Sequence, residues 1–280
     1  MQSCKVCSPS FYHGIEALFA FSFHDLTFIF LLPLIFYLQR VVVADYHRFL
    51  ALGPGGTPST FLGYLRILCL RPFALRDPLK PPPFPPILAL FPGRLSNLPK
   101  RRGPRPQVEG LAPQRQITQK VTPELYSALA NHLHGLAETH PALLEEGTSC
   151  FEKHSCGLFS ICEINKTCSG EIAHAHPSDG SMHTTLHPGD VKAVIENGWG
   201  ERHPLSGAHR LLGCVPEGFV MIYAPRSEDE IAIVGEIVRA AAWWVGGCEL
   251  GCKGGDGGEV IQGQKCAILG GMVGNEWAKD

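Results

Sequence analysis

A continuous apolar run near the N-terminus constrains this chain more than any other feature. The stretch 26–39 (LTFIFLLPLIFYLQ) carries no charge, and after Arg40 the chain continues as VVVA. A membrane-spanning helix needs about 20 apolar residues, and an arginine near its end can extend its charge to the membrane surface. Pro33, inside the run, is tolerated in a membrane helix. Residues 26–44 are therefore predicted to form a transmembrane anchor after a short segment, 1–25.

Two alternatives to an anchor stay open: a cleaved signal peptide and a buried core helix. A signal peptide needs a basic first region and a small-residue cleavage site, whereas Lys5 is the one basic residue before the run. Arginines instead follow the run, at Arg40, Arg48, Arg66 and Arg71. Because basic segments next to a span stay on the cytoplasmic side, we expect a single-pass membrane protein whose folded part faces the cytosol.

Charge and cysteine content argue against two classes of partner. The 280 residues include 24 Lys and Arg against 26 Asp and Glu, a net charge of −2. This balance gives no general attraction to nucleic acid, so no nucleic-acid partner is expected. The 11 cysteines include one isolated C-x-x-C pair without a second pair at zinc-site spacing. This arrangement favours reduced thiols over a zinc or disulfide framework.

Prolines and glycines divide the remainder of the chain. Residues 45–79 are interpreted as a juxtamembrane region, and the proline-rich stretch 80–106 as a semi-rigid linker. The stretch 248–280 is rich in glycine and lacks an amphipathic period, which predicts a disordered tail. A folded domain that carries the site is therefore expected at 107–247.

Helix and strand patterns in this domain predict an α+β fold. Thr122 precedes Pro123 and an apolar stripe with helical spacing, which is typical of a helix start. The strongest helix pattern begins with a capping box, Ser227 and Glu230, and ends at a pair of glycines. Consecutive strand patterns predict a mostly antiparallel sheet with helices packed on one side. The strand patterns lie at 157–164, 170–176, 181–187 and 219–225.

Three histidines fall in one predicted β-hairpin. The loop 177–180 (PSDG) has turn chemistry, and it joins arms in which His174 pairs with His183. Directly opposed residues share a face of the sheet, and His176 lies diagonally within reach, so the three imidazoles are expected to meet. Strict alternation places Glu171 on the other, apolar face.

Three interpretations of this histidine cluster stay open. An imidazole can act as a general base without a metal. The same rings can bind zinc, iron or copper, although Glu171, on the other face, is not expected to be a fourth ligand. The histidines can also be structural, bonded to backbone or water.

Two further polar stretches, GWGERHPLSG and YAPRSEDE, follow the hairpin. The first stretch contains Trp199, Arg202 and His203. An indole, a guanidinium and an imidazole on one loop suit an anionic, conjugated ligand. The structural alternatives are a buried tryptophan, an arginine in an ion pair, and Arg226 supporting the acidic first turn of the next helix. The predicted catalytic residues are His174, His176, His183 and His203. The predicted substrate contacts are Trp199, Arg202, Tyr223, Arg226 and Glu171.

Several of these stretches resemble the luciferases of light-emitting fungi. Four motifs carry the resemblance: EIAHAH, GWGERHPLSG, YAPRSEDE and APQRQITQ. Upstream, the apolar segment is followed by DYHRFLALGPGGTPSTFLGYLRI at 45–67, and CFEKH lies at 150–154. The resemblance extends over residues 42–246.

The resemblance implies a membrane-associated oxygenase. Fungal luciferases add molecular oxygen to 3-hydroxyhispidin, a polyphenolic pyrone, and the resulting peroxide loses carbon dioxide, with no known metal or organic cofactor. For this chain it implies a small phenolic or enolic substrate, oxygen as co-substrate and no metal or cofactor. One clustered histidine would then be the base, Arg202 and His203 would stabilise the anion, and Trp199 would stack on the ring.

Two departures from the luminous enzymes modify this expectation. The loop 177–180 and the glycine-rich end differ from theirs, and the domain also occurs in fungi that do not glow. We therefore expect oxygenation of a related phenolic or keto-enol compound without light emission. The alternatives are a non-catalytic ligand-binding or scaffold domain and a histidine-ligated, metal-dependent oxygenase.

Overall fold

The computed structural model divides the chain into two units, Met1–Arg48 and Phe49–Asp280. The expectations for residues 1–22 and for most of the glycine-rich tail lie outside the described residues. The structure describes residues 23–84, 88, 92–208, 215–247 and 249–251.

The N-terminal apolar run forms helix α1 (Phe23–Ala51). Within its portion Thr27–Ala51, an 18-residue stretch has a mean hydropathy of 2.0 and contains no buried residue. In the described part of the chain, this is the one helix long and apolar enough to cross a membrane. The predicted N-terminal apolar helix is therefore confirmed. A membrane span and a signal sequence both have these properties.

A short helix and a small ribbon precede the main sheet. Helix α2 (Phe61–Leu70) begins where the Thr60 hydroxyl accepts a hydrogen bond from a backbone N–H of its first turn, a common helix cap. Strands β1 (Val108–Gly110) and β2 (Gln114–Gln116) form a two-stranded antiparallel ribbon. The sequence did not predict this ribbon, because three residues are too few to show a period.

Within the described residues, the main sheet has six strands, all paired antiparallel. The strands are β3 (Leu144–Thr148), β4 (Cys156–Ser160), β5 (Glu171–Ala175), β6 (Met182–Thr185), β7 (Gly200–Arg202) and β8 (Phe219–Ile222). Their order across the sheet is β3-β4-β5-β6-β8-β7. The predicted mostly antiparallel sheet is confirmed, and it also includes two strands that the sequence did not reveal, β3 and β7.

Three helices cover one face of this sheet and enclose the apolar core with it. The helices are α3 (Pro123–Thr139), α4 (Pro188–Glu196) and α5 (Glu228–Gly246). The predicted helix starts are confirmed, since the hydroxyls of Thr122 and Ser227 accept hydrogen bonds from the first turns of α3 and α5. Gly247, with φ of 68°, ends α5 in the left-handed conformation that favours glycine.

Residues 92–106 pack against the domain, so the prediction of a linker is wrong for this segment. Leu95 and Leu98 belong to the hydrophobic core, and the backbone N–H of Leu95 donates to Asp190 at 2.7 Å. Arg101, from the run of basic residues, is buried and donates to the carbonyl of Ala224 at 2.9 Å. The prolines disfavour regular helix and strand in this segment, but its leucines bury apolar area that stabilises a fixed position.

Candidate functional site

The histidine hairpin has the predicted register. His174 of β5 is paired with His183 of β6, and the backbone N–H of His176 donates to the carbonyl of Ser181 at 2.8 Å. The turn between the strands uses Gly180 with φ of 76°, a conformation that costs other residues strain. The loop chemistry therefore fixes the register, and the register brings the imidazoles together.

The three imidazoles form a compact buried cluster, which we call the histidine cluster (His174, His176 and His183). Nε2 of His176 lies 3.1 Å from Nδ1 of His183, and that Nδ1 lies 3.3 Å from Nε2 of His174. The three rings are 1%, 0% and 4% exposed, respectively. One nitrogen from each ring therefore meets the other two away from bulk water.

Glu171 lies on the same face as the cluster, contrary to the prediction from strict alternation. A β-bulge in β5 makes Leu158 pair with Ala173 and the adjacent Phe159 pair with Glu171, leaving Ile172 as the extra residue. The bulge turns Ile172 into the hydrophobic core beside Ala173 and reverses the direction of Glu171. Glu171 Oε1 consequently lies 2.6 Å from Nδ1 of His174.

The Glu171 carboxylate is held by two further donors. The Ser149 hydroxyl donates to it at 2.7 Å, and the backbone N–H of Cys150 donates at 2.7 Å. Burial raises the pKa of Glu171, but the hydrogen bonds from His174 and Ser149 outweigh it and the net pKa is lowered. Glu171 is therefore a buried carboxylate that accepts hydrogen bonds on all sides, as such groups must to remain charged.

His176 and His183 have polar partners of their own. His176 Nδ1 lies 2.9 Å from the Ser181 hydroxyl, which donates to Asp179 Oδ1 at 2.7 Å. His183 Nε2 lies 3.0 Å from Oε1 of Gln114, a residue of β2. Each ring of the cluster is thus oriented by a hydrogen bond on the nitrogen that faces away from the centre.

Burial determines the charge of the cluster. Desolvation lowers the pKa of His176 to about 4 and lowers that of His183 well below 6.5. Both rings are therefore neutral near neutral pH, and each carries one N–H and one lone pair.

An ion pair lies next to the cluster. Arg115 of β2 pairs with Glu152, and its guanidinium also donates to the carbonyl of Pro54 at 2.6 Å. Glu152 Oε2 lies 3.9 Å from Nε2 of His176, and burial raises the pKa of this carboxyl. The positive group next to the imidazoles is therefore Arg115, which the sequence interpretation did not select.

Aromatic rings form one wall of the site. The Phe219 ring stacks on His183 at a centroid separation of 4.9 Å, and the Phe151 ring lies 4.6 Å from Phe219 and 6.1 Å from His174. Phe151 is half-exposed while the imidazoles are buried. Its ring is therefore the member of this wall that reaches solvent.

Thr185 adds a polar atom to the cluster face without a protein partner. It lies two positions after His183 on β6 and pairs with Phe219, so it points to the same side of the sheet as His183. It is 3% exposed, and its Oγ1 has no hydrogen-bond partner within the described part of the chain. A buried hydroxyl of this kind is suited to a ligand contact.

Two predicted substrate contacts lie elsewhere. Trp199 is 1% exposed in the hydrophobic core and donates from Nε1 to the carbonyl of Pro99 at 2.6 Å. Arg202 pairs on the sheet with Val220, a core residue, whereas Glu201 pairs with Met221. Trp199 is therefore a core residue, and alternation directs Arg202 to the face opposite the imidazoles.

The remaining predicted residues have structural partners. His203 is buried 5.3 Å (ring centroids) from His183, but its Nδ1 accepts from the backbone N–H of Leu205 at 3.1 Å. The Tyr223 hydroxyl donates to Glu201 Oε2 at 3.0 Å. Arg226 forms an ion pair with Glu230 in the first turn of α5, which is the structural alternative for this arginine.

The site also contains polar residues that the sequence analysis did not predict as site residues. Gln114 links the cluster to Tyr223, because its amide nitrogen donates to Glu201 Oε1 at 3.2 Å. The signal for several members was present in the resemblance, since APQRQITQ contains Gln114 and Arg115 and CFEKH contains Glu152. The missed residues are Gln114, Arg115, Ser149, Glu152, Asp179, Ser181, Thr185 and Glu201.

Comparison with known proteins identifies the family. The Luciferase domain model matches residues 169–241, which include the histidine hairpin. The chain is 31% identical over 223 residues to a luciferase of Neonothopanus nambi, covering 72% of this chain and 80% of the relative. It is 33% identical over 221 residues to a luciferase of Armillaria mellea, covering 70% and 79%. No solved structure matches the chain. The chain therefore belongs to the fungal luciferase-like family.

Proposed function

We propose that this protein is a membrane-attached oxygenase that adds molecular oxygen to a small, enolisable phenolic compound related to 3-hydroxyhispidin. One observation carries the proposal: a buried cluster of three imidazoles, anchored by Glu171, lies in the segment that matches the luciferase domain. The relatives named luciferase support an oxygenation reaction on a small molecule.

In a metal-free reaction, His174 is the proposed base. Glu171 holds its Nδ1–H and leaves Nε2 directed into the cluster; an oriented imidazole of this kind can accept a proton. The proton lost from the substrate's enol moves to Nε2, and the enolate transfers an electron to oxygen. Coupling of the two radicals forms the C–O bond of a peroxide anion, whose outer oxygen displaces the ring oxygen from the lactone carbonyl of the pyranone. The resulting four-membered peroxide cleaves its O–O and C–C bonds and releases the lactone carbon as carbon dioxide, and the displaced enolate oxygen takes the proton back from His174. Arg115 replaces Arg202 as the proposed positive group near the developing anion.

Oxygen uptake tests the reaction. Membranes from cells expressing the full chain are incubated with 3-hydroxyhispidin and related 3-hydroxypyranones while dissolved oxygen and emitted light are recorded together. We expect substrate-dependent uptake without light from the wild type. We expect uptake to be lost in His174→Gln, whose expression is checked by immunoblot. Absence of uptake with every compound would contradict the oxygenase.

A non-catalytic binder predicts a different pattern. Ligand affinity would then be the same for the wild type and for the double variant of His174 and His183 to Gln, and neither would consume oxygen. A second enzymatic candidate, a metal-dependent oxygenase, is favoured by the three ring nitrogens that face one another.

We further propose that α1 anchors the chain and that the folded unit faces the cytosol. Arg40 lies in the C-terminal half of the helix and Arg48 in its last turn, and basic residues remain on the cytoplasmic side of a span. The protein should resist alkaline carbonate extraction and keep its full mass. Its C-terminal unit should be digested by protease added to sealed microsomes of cytosolic-side-out orientation. A shortened, carbonate-soluble product would instead indicate a cleaved signal sequence.

A further inference from the structure

We infer that His174, His176 and His183 bind one divalent first-row transition metal ion through Nε2, Nε2 and Nδ1, respectively. The binding follows from the hydrogen bonds around the three rings. Because Nε2 of His174 cannot both bind a metal and accept a proton, a bound ion would replace this base, and its catalytic role rests on the proposed oxygenase function.

The outer contact of His174 fixes which of its nitrogens carries hydrogen. Glu171 already accepts from the Ser149 hydroxyl and from the backbone N–H of Cys150. A carboxylate has no hydrogen to donate, so at 2.6 Å the hydrogen between the two side chains belongs to Nδ1 of His174. When the ring carries only this hydrogen, its Nε2 presents a lone pair to the centre.

His176 has the same arrangement through a hydroxyl. Ser181 has one hydroxyl hydrogen, which it donates to Asp179 Oδ1 at 2.7 Å. Its oxygen must therefore accept the hydrogen of His176 Nδ1 at 2.9 Å. Nε2 of His176 is the second lone pair that faces the centre.

His183 is oriented by an amide. The amide nitrogen of Gln114 donates to Glu201, so its oxygen faces the imidazole at 3.0 Å. A carbonyl oxygen only accepts, so Nε2 of His183 carries the hydrogen and Nδ1 carries the lone pair. The third acceptor nitrogen thus also points inward.

Three acceptors therefore meet with no hydrogen between them. The separations of 3.1 Å and 3.3 Å look like hydrogen bonds, but neither contact has a donor when each ring carries only its outer hydrogen. A proton added to Nε2 of His174, whose Nδ1 faces Glu171, would give one contact a donor but would leave the contact between His176 and His183 without one. A bound metal ion would accept all three converging lone pairs, so that none of the inward nitrogens would need a hydrogen-bond donor.

The spacing suits such an ion. Metal–imidazole bonds of about 2.0–2.1 Å at tetrahedral to octahedral angles separate the ligand nitrogens by about 2.8–3.4 Å. The two measured separations lie in that range, and the three ligand atoms all lie within 4.8 Å of one another. Imidazole ligands select zinc, iron, copper, nickel or cobalt over magnesium and calcium.

The outer hydrogen bonds match those of established metal sites. A metal-bound histidine usually donates its other N–H to a carboxylate, a carbonyl or a similar acceptor. Here Glu171, Ser181 and Gln114 supply one acceptor for each ring. Glu152 Oε2, 3.9 Å from Nε2 of His176, is the nearest candidate for an additional ligand.

Metal binding by the full chain in detergent tests the inference. After chelator treatment, Co²⁺ is added as a spectroscopic probe, and bound metal is measured by elemental analysis. We expect one ion per chain, an absorption spectrum of nitrogen-ligated Co²⁺, and displacement by Zn²⁺. His176→Gln and His183→Gln should each weaken binding by about 100-fold or more, beyond the effect typical of outer-shell changes.

A surface histidine provides the matched control. His134 also has its Nδ1 2.6 Å from a carboxylate, Glu146, but its side chain is 53% exposed, and no other imidazole of the described residues pairs with it. His134→Gln should keep one ion per chain. If the cluster variants do not fold, the wild type alone decides the question: Co²⁺ should raise the unfolding temperature of the chelated protein and Mg²⁺ should not.

The outcomes separate metal binding from catalysis. Failure of Co²⁺, Zn²⁺ and Fe²⁺ to bind or to raise the unfolding temperature would overturn the inference and leave a metal-free reaction in place. Stoichiometric binding without oxygen uptake on any phenolic compound would uphold the site and overturn the proposed reaction. Full uptake by a metal-free preparation that still binds Co²⁺ would overturn only the catalytic role of the ion.

Discussion

The Glu171 carboxylate lies 2.6 Å from Nδ1 of His174, three positions further along the same strand. On a regular strand, residues three apart point to opposite faces. The bulge at Ile172 removes this separation and converts an apolar-face residue into the anchor of the site. β-Bulges that redirect a side chain in this way are common next to active sites.

Glu171→Gln should weaken the site without unfolding the domain. Glutamine has a similar shape and can still accept the His174 N–H, but it loses the negative charge and brings an amide N–H toward Ser149 or Cys150. We expect metal affinity or turnover to fall by about 10–100-fold, measured by Co²⁺ titration and oxygen uptake. Glu196→Gln, on an exposed ion pair with Lys192, is the control and should change neither. A normal Co²⁺ titration and normal turnover in Glu171→Gln would show that the carboxylate is only structural.

Thr185→Val tests whether the unpartnered hydroxyl faces the substrate. The two side chains have nearly the same shape, and removal of a buried, unpaired hydroxyl should leave stability unchanged or raise it by about 1 kcal/mol. If the hydroxyl contacts the substrate, KM should rise several-fold while the denaturant midpoint stays the same or increases. Thr184→Val is the contrasting variant, because the Thr184 hydroxyl donates to the Ile172 carbonyl at 2.8 Å. That variant should lose stability.

The sequence predicts those parts of the site that follow from local geometry. A four-residue loop and a period of two were enough to bring His174 opposite His183, and the apolar stripes of α3 and α5 define the layer of helices. The bulge at Ile172 could not be predicted, because one inserted residue leaves no mark in the alternation. The hydrogen bond between Gln114 and His183 joins residues 69 positions apart in the sequence. The sequence of a strand as short as β2 does not indicate which residue Gln114 contacts.

The errors at the second polar motif have a similar cause. Glycines on both sides of Trp199 are typical of a loop, yet the indole enters the core just before β7. Its Nε1 contacts Pro99, in a segment that its prolines marked as a linker. The burial of Trp199 and the packing of residues 92–106 therefore depend on each other. Local sequence patterns cannot reveal this contact, because the partners are about 100 residues apart.

Trp199→Phe should destabilise the domain and leave the reaction intact. Phenylalanine leaves a void in the core and removes the hydrogen bond to Pro99, so the free energy of unfolding should fall by about 1–3 kcal/mol. Urea denaturation measures this change. KM for the phenolic substrate should not change, because the indole is not at the cluster. A large rise in KM with normal stability would instead restore Trp199 as a substrate contact.

The buried imidazole of His203 should make the domain sensitive to acid. Burial lowers the pKa of His203 to about 3, from an ordinary 6.5, and its Nδ1 must keep a lone pair to accept from Leu205. The unfolded chain binds a proton below pH 6.5 that the folded chain does not, so stability is complete above that pH and falls as the pH decreases toward 3. Between pH 6.5 and pH 5 this group alone costs about 2 kcal/mol.

His203→Gln isolates that contribution. Glutamine does not titrate, and its amide oxygen can accept the Leu205 N–H, so the slope of unfolding free energy against pH should decrease by about one proton between pH 5 and 6.5. Urea denaturation at a series of pH values measures the slope. The exposed His134 changes stability with pH in the opposite direction, since its hydrogen bond to Glu146 raises its pKa. His134→Gln should therefore not reduce the slope of unfolding free energy against pH. An unchanged slope in His203→Gln would mean that the folded state already accommodates the protonated ring.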